Sequence, residues 1–234
     1  MSRRSIVFCA FAVLAAALFV RLGFWQLARL HAKRQRNDAI ASQQVAQPVQ
    51  FASLPADTAA AHYRRAVITG TYDYAHELVV AARTRQGSPG IEFLTPLRRA
   101  GTDTAVLVNR GWVYSPNGAS VDRARWREPE RATVTGYVEQ FGPDAPPGAA
   151  STDRLLVRRL NRREVAARIP YPIAPYYLVA TGDTASSHPV RREMPALDDG
   201  PHRGYAIQWF SFAAIAIVGA LAVVRRERRD RRVP

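Results

Sequence analysis

Two stretches differ from the rest of the chain in their pattern of apolar and polar positions. From Ile6 to Val20 no residue is charged or strongly polar, and from Ala206 to Val224 the only strongly polar side chain is Gln208. A helix that crosses a bilayer takes about 20 mostly apolar residues, so both stretches predict transmembrane helices. The first continues past Arg21 into Leu22, Phe24, Trp25 and Leu27, as a span does when an arginine reaches toward the headgroups. A cleaved secretory signal opened by MSRR is the competing reading. The continuation favours an uncleaved anchor.

Between the two runs the period changes. LARLHAKRQRNDAIASQQ has good helix formers and predicts an extension of the first helix that stops before Pro48, and VAQPVQFASLPADTAAA reads as a linker. From Arg64 on, RAVITG, ELVVAART, IEFLTPLRR, AVLVNRGWVY and ATVTGYVEQF are rich in Val, Ile, Thr and aromatics, with turn residues between them. They predict short strands at fairly regular spacing. GPDAPPGAAS, Gly142 to Ser151, predicts an exposed loop. Asn161 with Glu164 resembles a capping box opening a short helix that Pro170 ends, and YYLVATG predicts a further strand. The fold class is therefore a membrane hairpin of two transmembrane α-helices flanking one mostly-β, antiparallel, barrel-like extracytoplasmic domain with a short helix.

Charge orients the hairpin. The tail RRERRDRR, Arg225 to Arg232, and MSRR are basic flanks of the kind retained in the cytoplasm, whereas Arg29, Lys33, Arg34 and Arg36 follow the first span. A long loop is translocated largely regardless of its charge, so the tail and MSRR decide. The expected organisation is a cytoplasmic N-terminus (1–4), a first span (5–27), a helical extension and linker (28–60), an extracytoplasmic β domain (61–200), a second span (201–224) and a basic cytoplasmic tail (225–234). The protein is thus expected in the inner or plasma membrane. The net charge of +14, from 33 basic and 19 acidic residues, sits largely in the tail and beside the spans, so membrane lipid and not nucleic acid is the expected counter-charge. Cys9 is the one cysteine, which excludes an intrachain disulfide and a carrier built on paired thiolates.

No nucleophile elbow, P-loop, zinc-protease or dinucleotide motif is present. Asp122, Asp144, Asp153, Asp183, Asp198 and Asp199 read as turn residues. No catalytic site is expected. The membrane mouths are more informative. LGFWQLARLH and HRGYAIQWF each set Trp beside Gln, with a histidine within about two turns: Trp25, Gln26 and His31 in one, His202, Gln208 and Trp209 in the other. An aromatic belt accounts for Trp25, Tyr205 and Trp209 but not for amides in hydrocarbon, which are costly without a partner. Tyr205, Gln208, Trp209 and Phe212 share one helical face, which should look at protein or a ligand. His202 at its mouth is either a metal or haem-iron ligand or a plain polar flank; His62, His76 and His188 have no ligand spacing. In NRGWV, Gly111 suggests a bulge or close backbone approach. Alternation makes Arg110 and Trp112 either partner contacts or a packed Trp beside a solvated Arg.

LGFWQLARLHAKRQ, GTYDYAHELVVAARTRQGSPGIEFLTPLRR, VLVNRGWVY and GYAIQWFSFA, in that order, resemble the signature blocks of the surfeit locus protein 1 family, the assembly factors of haem–copper terminal oxidases. The family's Pro after W-V is displaced here by Tyr114, and LLVRRLNRREV replaces its W-x-x-x-D. The resemblance implies a non-enzymatic factor that transiently binds haem a and passes it to the oxidase's catalytic subunit, with enzymes of haem a synthesis as further partners. It implies His202 as haem ligand, with no metal held by protein ligands alone. Trp25, Gln26, Tyr205, Gln208 and Trp209 would surround the ring, and Arg203 could pair with a propionate. His31 is a candidate second axial ligand by proximity. A haem-free scaffold that stabilises the oxidase core subunit is the alternative.

Overall fold

The computed structural model describes residues 2–143, 154–182 and 188–230. From residue 144 the loop expected over Gly142 to Ser151 lies outside them, as do Asp144, Asp153, Asp183, part of the segment returning to the second span and the last four residues of the tail.

Helix α1 spans Arg3–Val45. Its 43 residues contain no proline, and Pro48 follows its end, so the expected extension is one continuous helix with the first apolar run. Helix α4 spans His202–Asp230. Both helices are long and apolar enough to cross a membrane. The chain forms two compact units, one of Met1–Ala41 with Ala196–Pro234 and the other of Ser42–Pro195.

The first unit is a helix pair. Ala16, Gly23, Leu30 and Asn37 of α1 are buried at seven-residue spacing, with Ala12 and Gln26 filling the intervening turns. Ala206, Ala213 and Ala220 of α4 repeat the same period. A seven-residue repeat keeps one stripe of a helix turned to its partner, and small residues are what membrane helices place there. A Cβ on Gly23 would lie 2.7 Å from the Phe210 ring.

The second unit is a sheet. After β1 (Val49–Gln50) and the short α2 (Thr58–Ala61), capped by Asp57, come β2 (Arg65–Tyr72), β3 (Leu78–Arg85), β4 (Ser88–Arg98), β5 (Val106–Tyr114) and β6 (Arg131–Gln140). Then follow β7 (Leu156–Val157), α3 (Arg162–Ala166) and β8 (Tyr176–Ala180). All six long strands fall where the Val, Ile and aromatic runs predict them; β1 and β7, at two residues each, are too short to leave a pattern. Asn161 caps α3 as expected: its Oδ1 accepts the Glu164 N–H at 2.7 Å, and its Nδ2, in place of the backbone N–H of a capping box, donates to the Glu164 carboxylate at 3.1 Å.

The strand directions correct the expectation. Among the described residues eight strands form one mixed sheet, ordered β1-β2-β6-β8-β5-β4-β3-β7, with an additional β2–β4 pairing at Thr71–Arg98 and Tyr72–Leu97. The β1–β2, β3–β7 and β5–β8 pairs are parallel, so the antiparallel pairing expected for the barrel-like domain is corrected to a mixed sheet. Parallel neighbours need a long crossover, and the chain between β5 and β8, which includes β6 and α3, supplies one. β8 is buried at all five positions. Leu178 packs with Ile68, Leu97 and Val108 on one side; Tyr177 and Val179 pack with Leu94, Leu107 and Val165 on the other. Cover on both faces makes a strand read as a continuous apolar run.

Candidate functional site

In the helix pair the two expected mouths meet. His202 Nδ1 lies 2.9 Å from Gln26 Oε1. A carboxamide oxygen only accepts, so Nδ1 carries the proton that it donates, and in the tautomer protonated there alone Nε2 holds the free lone pair. A hydrogen bond at one ring nitrogen is the arrangement that orients a metal-ligating histidine. Gln26 is buried and finds in the histidine the partner an amide needs in apolar surroundings.

The other residues read around this mouth divide into two groups. Trp209 stacks on Phe19 with ring centroids 5.6 Å apart, and Phe212 lies 5.8 Å from the same ring. Tyr205, Gln208 and Arg203 stand outside the seam and are exposed. Trp25 is exposed too, with the Arg29 guanidinium 5.5 Å above its indole. His31 is exposed and bonds Gln35 at 3.2 Å, one turn on along the same helix, so the structure does not bring it to His202. Beyond the mouth, Arg34 pairs with Asp199 at 2.7 Å and Asn37 Nδ2 donates to the Asp198 carbonyl at 3.0 Å. At the far end the Ser5 hydroxyl donates to Glu227.

The sheet unit places Arg110 elsewhere than in contact with a partner. The β4–β5 register slips between Phe93 and Leu94, which pair with Gly111 and Asn109, leaving Arg110 as the extra residue of a bulge. The bulge expected from Gly111 is present, and Gly111 adopts φ 121°. The extra residue turns Arg110 inward. It is fully buried, where it bonds Glu77 at 2.6 Å, Glu128 at 3.0 Å, Thr95 Oγ1 at 2.9 Å and the Trp126 carbonyl at 2.7 Å. The rings of Tyr74 and Phe93 lie 5.1 Å from its guanidinium carbon. Glu128 is also held by Arg191 at 2.5 Å, and Arg191 donates to the Arg110 carbonyl.

Burial alone would lower the Arg110 pKa, but the charge and hydrogen bond of Glu77, with Tyr74 and Glu128, together offset it and the net shift is upward. For Glu128 burial acts upward, yet the hydrogen bond and charge of Arg191, with the charge of Arg110, hold the carboxyl below its ordinary range. Asp73 behaves alike: burial raises it, and hydrogen bonds from Tyr171 and His76 bring it below the usual value. His62 is engaged with Glu139 at 2.7 Å.

Trp112 donates its indole N–H to the Arg83 carbonyl at 3.2 Å and forms one wall of a cavity of about 580 Å³. Arg83, Glu92 and Arg192 also line it, none of which was singled out from the sequence. A signal was available. Glu77 heads an apolar strand and Glu92 interrupts one, and an acid in a buried run implies a cation beside it.

A family model described as the SURF1 family matches residues 13–214, from α1 through the sheet to α4. The chain is 30% identical over 227 residues to a SURF1-like protein of Mycobacterium bovis, covering 91% of this chain and 82% of that relative. It is 26% identical over 217 residues to a SURF1-like protein of Monosiga brevicollis, covering 84% and 79%. Over 118 residues it is 28% identical to surfeit locus protein 1 of Takifugu rubripes, covering 44% of this chain and 49% of the fish protein.

Proposed function

The chain belongs to the SURF1 family, and from that premise we propose that it is a membrane-anchored assembly factor for a haem–copper terminal oxidase. It takes haem a at the mouth of its helix pair, with His202 as iron ligand, and hands it to the oxidase's catalytic subunit. It is a carrier, not an enzyme. Both termini lie in the cytoplasm and the sheet domain lies outside the inner membrane.

The observation that carries this reading is the His202–Gln26 pair at 2.9 Å. Gln26 fixes the imidazole tautomer and leaves Nε2 open, which suits axial ligation of iron. Trp209, stacked on Phe19, and Phe212, tilted against the same ring, offer apolar ring surface on the same helices. Arg203, exposed one residue on, is free to meet a carboxylate. A single axial histidine suits a protein that must release its cargo.

The test is the visible absorption spectrum of the detergent-purified full chain after co-expression with the enzymes that make haem a. Wild type is expected to show a Soret band that His202→Ala lacks, and Gln26→Leu is expected to weaken haem affinity about 10- to 100-fold. If neither wild type nor variant carries haem while an oxidase subunit still co-purifies, the protein is a haem-free scaffold for that subunit.

A further inference from the structure

The cavity beside Trp112 lies wholly within the sheet unit, so an assignment to it stands or falls independently of the haem reading. Its volume of about 580 Å³ is that of a small-ligand site. The register of β3 against β4 shifts between Val80 and Arg83, with Ala82 at φ 56°. Past this irregularity Arg83 and Arg85, two residues apart on the strand, share a face. Arg192 comes from the segment that follows Val190, whose backbone pairs with Trp112. Gly90 makes room for the indole wall: a Cβ there would lie 2.3 Å from the Trp112 ring.

Charge in this cavity is held in place without being consumed. Arg83 Nε is 3.9 Å from one Glu92 oxygen and Arg192 Nε 3.8 Å from the other. Both are ion pairs, and both are too long for hydrogen bonds. Glu92 is itself fixed by Asn109 Nδ2 at 2.9 Å. Arg83 Nε is buried and has no hydrogen-bond partner among the described residues. Arg191, which also borders the cavity, is turned to Glu128. Arg83, Arg85 and Arg192 then stand against Glu92 and Glu193, leaving a net positive lining. A guanidinium with unspent donors is the side chain that receives an oxyanion through two parallel hydrogen bonds.

We propose that this cavity is a binding site for a compact ligand bearing two or more carboxylates, gripped by Arg83 and Arg192, with Arg85 at the rim and Trp112 as a flat wall. The carboxylates belong either to a free small acid or to adjacent glutamate side chains of a protein segment. Glu92 repels such a ligand at long range, and its role is to position the two guanidinium groups.

Calorimetric titration of the full-length protein in detergent, at constant ionic strength, tests this with two probes: citrate, and a capped peptide containing three consecutive glutamates. Saturable binding of at least one is expected, weakened about tenfold or more in Arg83→Gln and in Arg192→Gln, and unchanged in Arg131→Gln, which alters an exposed arginine outside the cavity. Citrate alone binding identifies a free acid; tighter binding of the peptide identifies an acidic protein segment. Should Arg83→Gln fail to fold, Arg85→Gln carries the same comparison. No saturable heat with either probe, or equal binding in wild type and the cavity variants, overturns the assignment. The Soret band of haem-loaded protein is expected to be the same in all these variants.

Discussion

Arg110 is a fully buried arginine at the centre of a hydrogen-bonded network in the sheet domain. A guanidinium with no exposure is expensive to desolvate, and it is tolerated here because two carboxylates, a hydroxyl and a carbonyl take up its donors. Glu128 in turn answers to two arginines. Its depressed pKa means that it binds protons less readily folded than unfolded, so its contribution is present above the ordinary carboxylate range and is lost as pH falls through the lowered value. Glu128→Gln is expected to destabilise the domain by about 3–5 kcal/mol near neutral pH and to flatten the loss of stability in acid. Urea unfolding of the detergent-solubilised protein, followed by tryptophan fluorescence across that range, measures both effects. Parallel acid limbs in wild type and variant would remove Glu128 as the titrating group.

At the scale of elements, the bulge in β5 couples three features. Gly111 holds φ 121°, and a Cβ there would lie 2.4 Å from the Val190 carbonyl. The glycine therefore permits both the inward turn of Arg110 and the antiparallel bridge between Trp112 and Val190. Gly111→Ala is expected to cost about 1–3 kcal/mol in backbone strain and to loosen the segment around Arg191 and Arg192. Faster tryptic cleavage after those arginines, at a temperature where the domain remains folded, is the expected readout; unchanged cleavage would mean that the Val190 segment is held by other contacts. In the helix pair, the seven-residue repeat of buried side chains plays the equivalent organising part, since it brings Gln26 and His202 to the same turn of the seam.

For the whole molecule, the proposed topology has an outcome that can be read in cells. A fluorescent protein fused after the basic tail is expected to fluoresce, while alkaline phosphatase at the same place stays inactive and is active when inserted between residues 143 and 154. The opposite pattern would place the sheet domain in the cytoplasm and remove the proposed delivery of haem at the outer face.

The two apolar runs, the six long strands, the helix cap at Asn161 and the bulge at Gly111 were determined by the sequence itself. Each depends on the preferences of neighbouring residues for a backbone conformation or for one face, and these act within a few positions. The tertiary structure alone decided that the sheet is mixed, because strand alternation is identical whichever way the neighbour runs. It also decided that Arg110 is buried. One extra residue in a strand reverses inside and outside, and the carboxylates that make burial tolerable, Glu77 and Glu128, lie 33 and 18 residues away in the chain. Gln26 and His202, separated by 176 residues, were legible as types suited to a ligand; that they share a hydrogen bond depends on the register of two helices, which long-range packing sets.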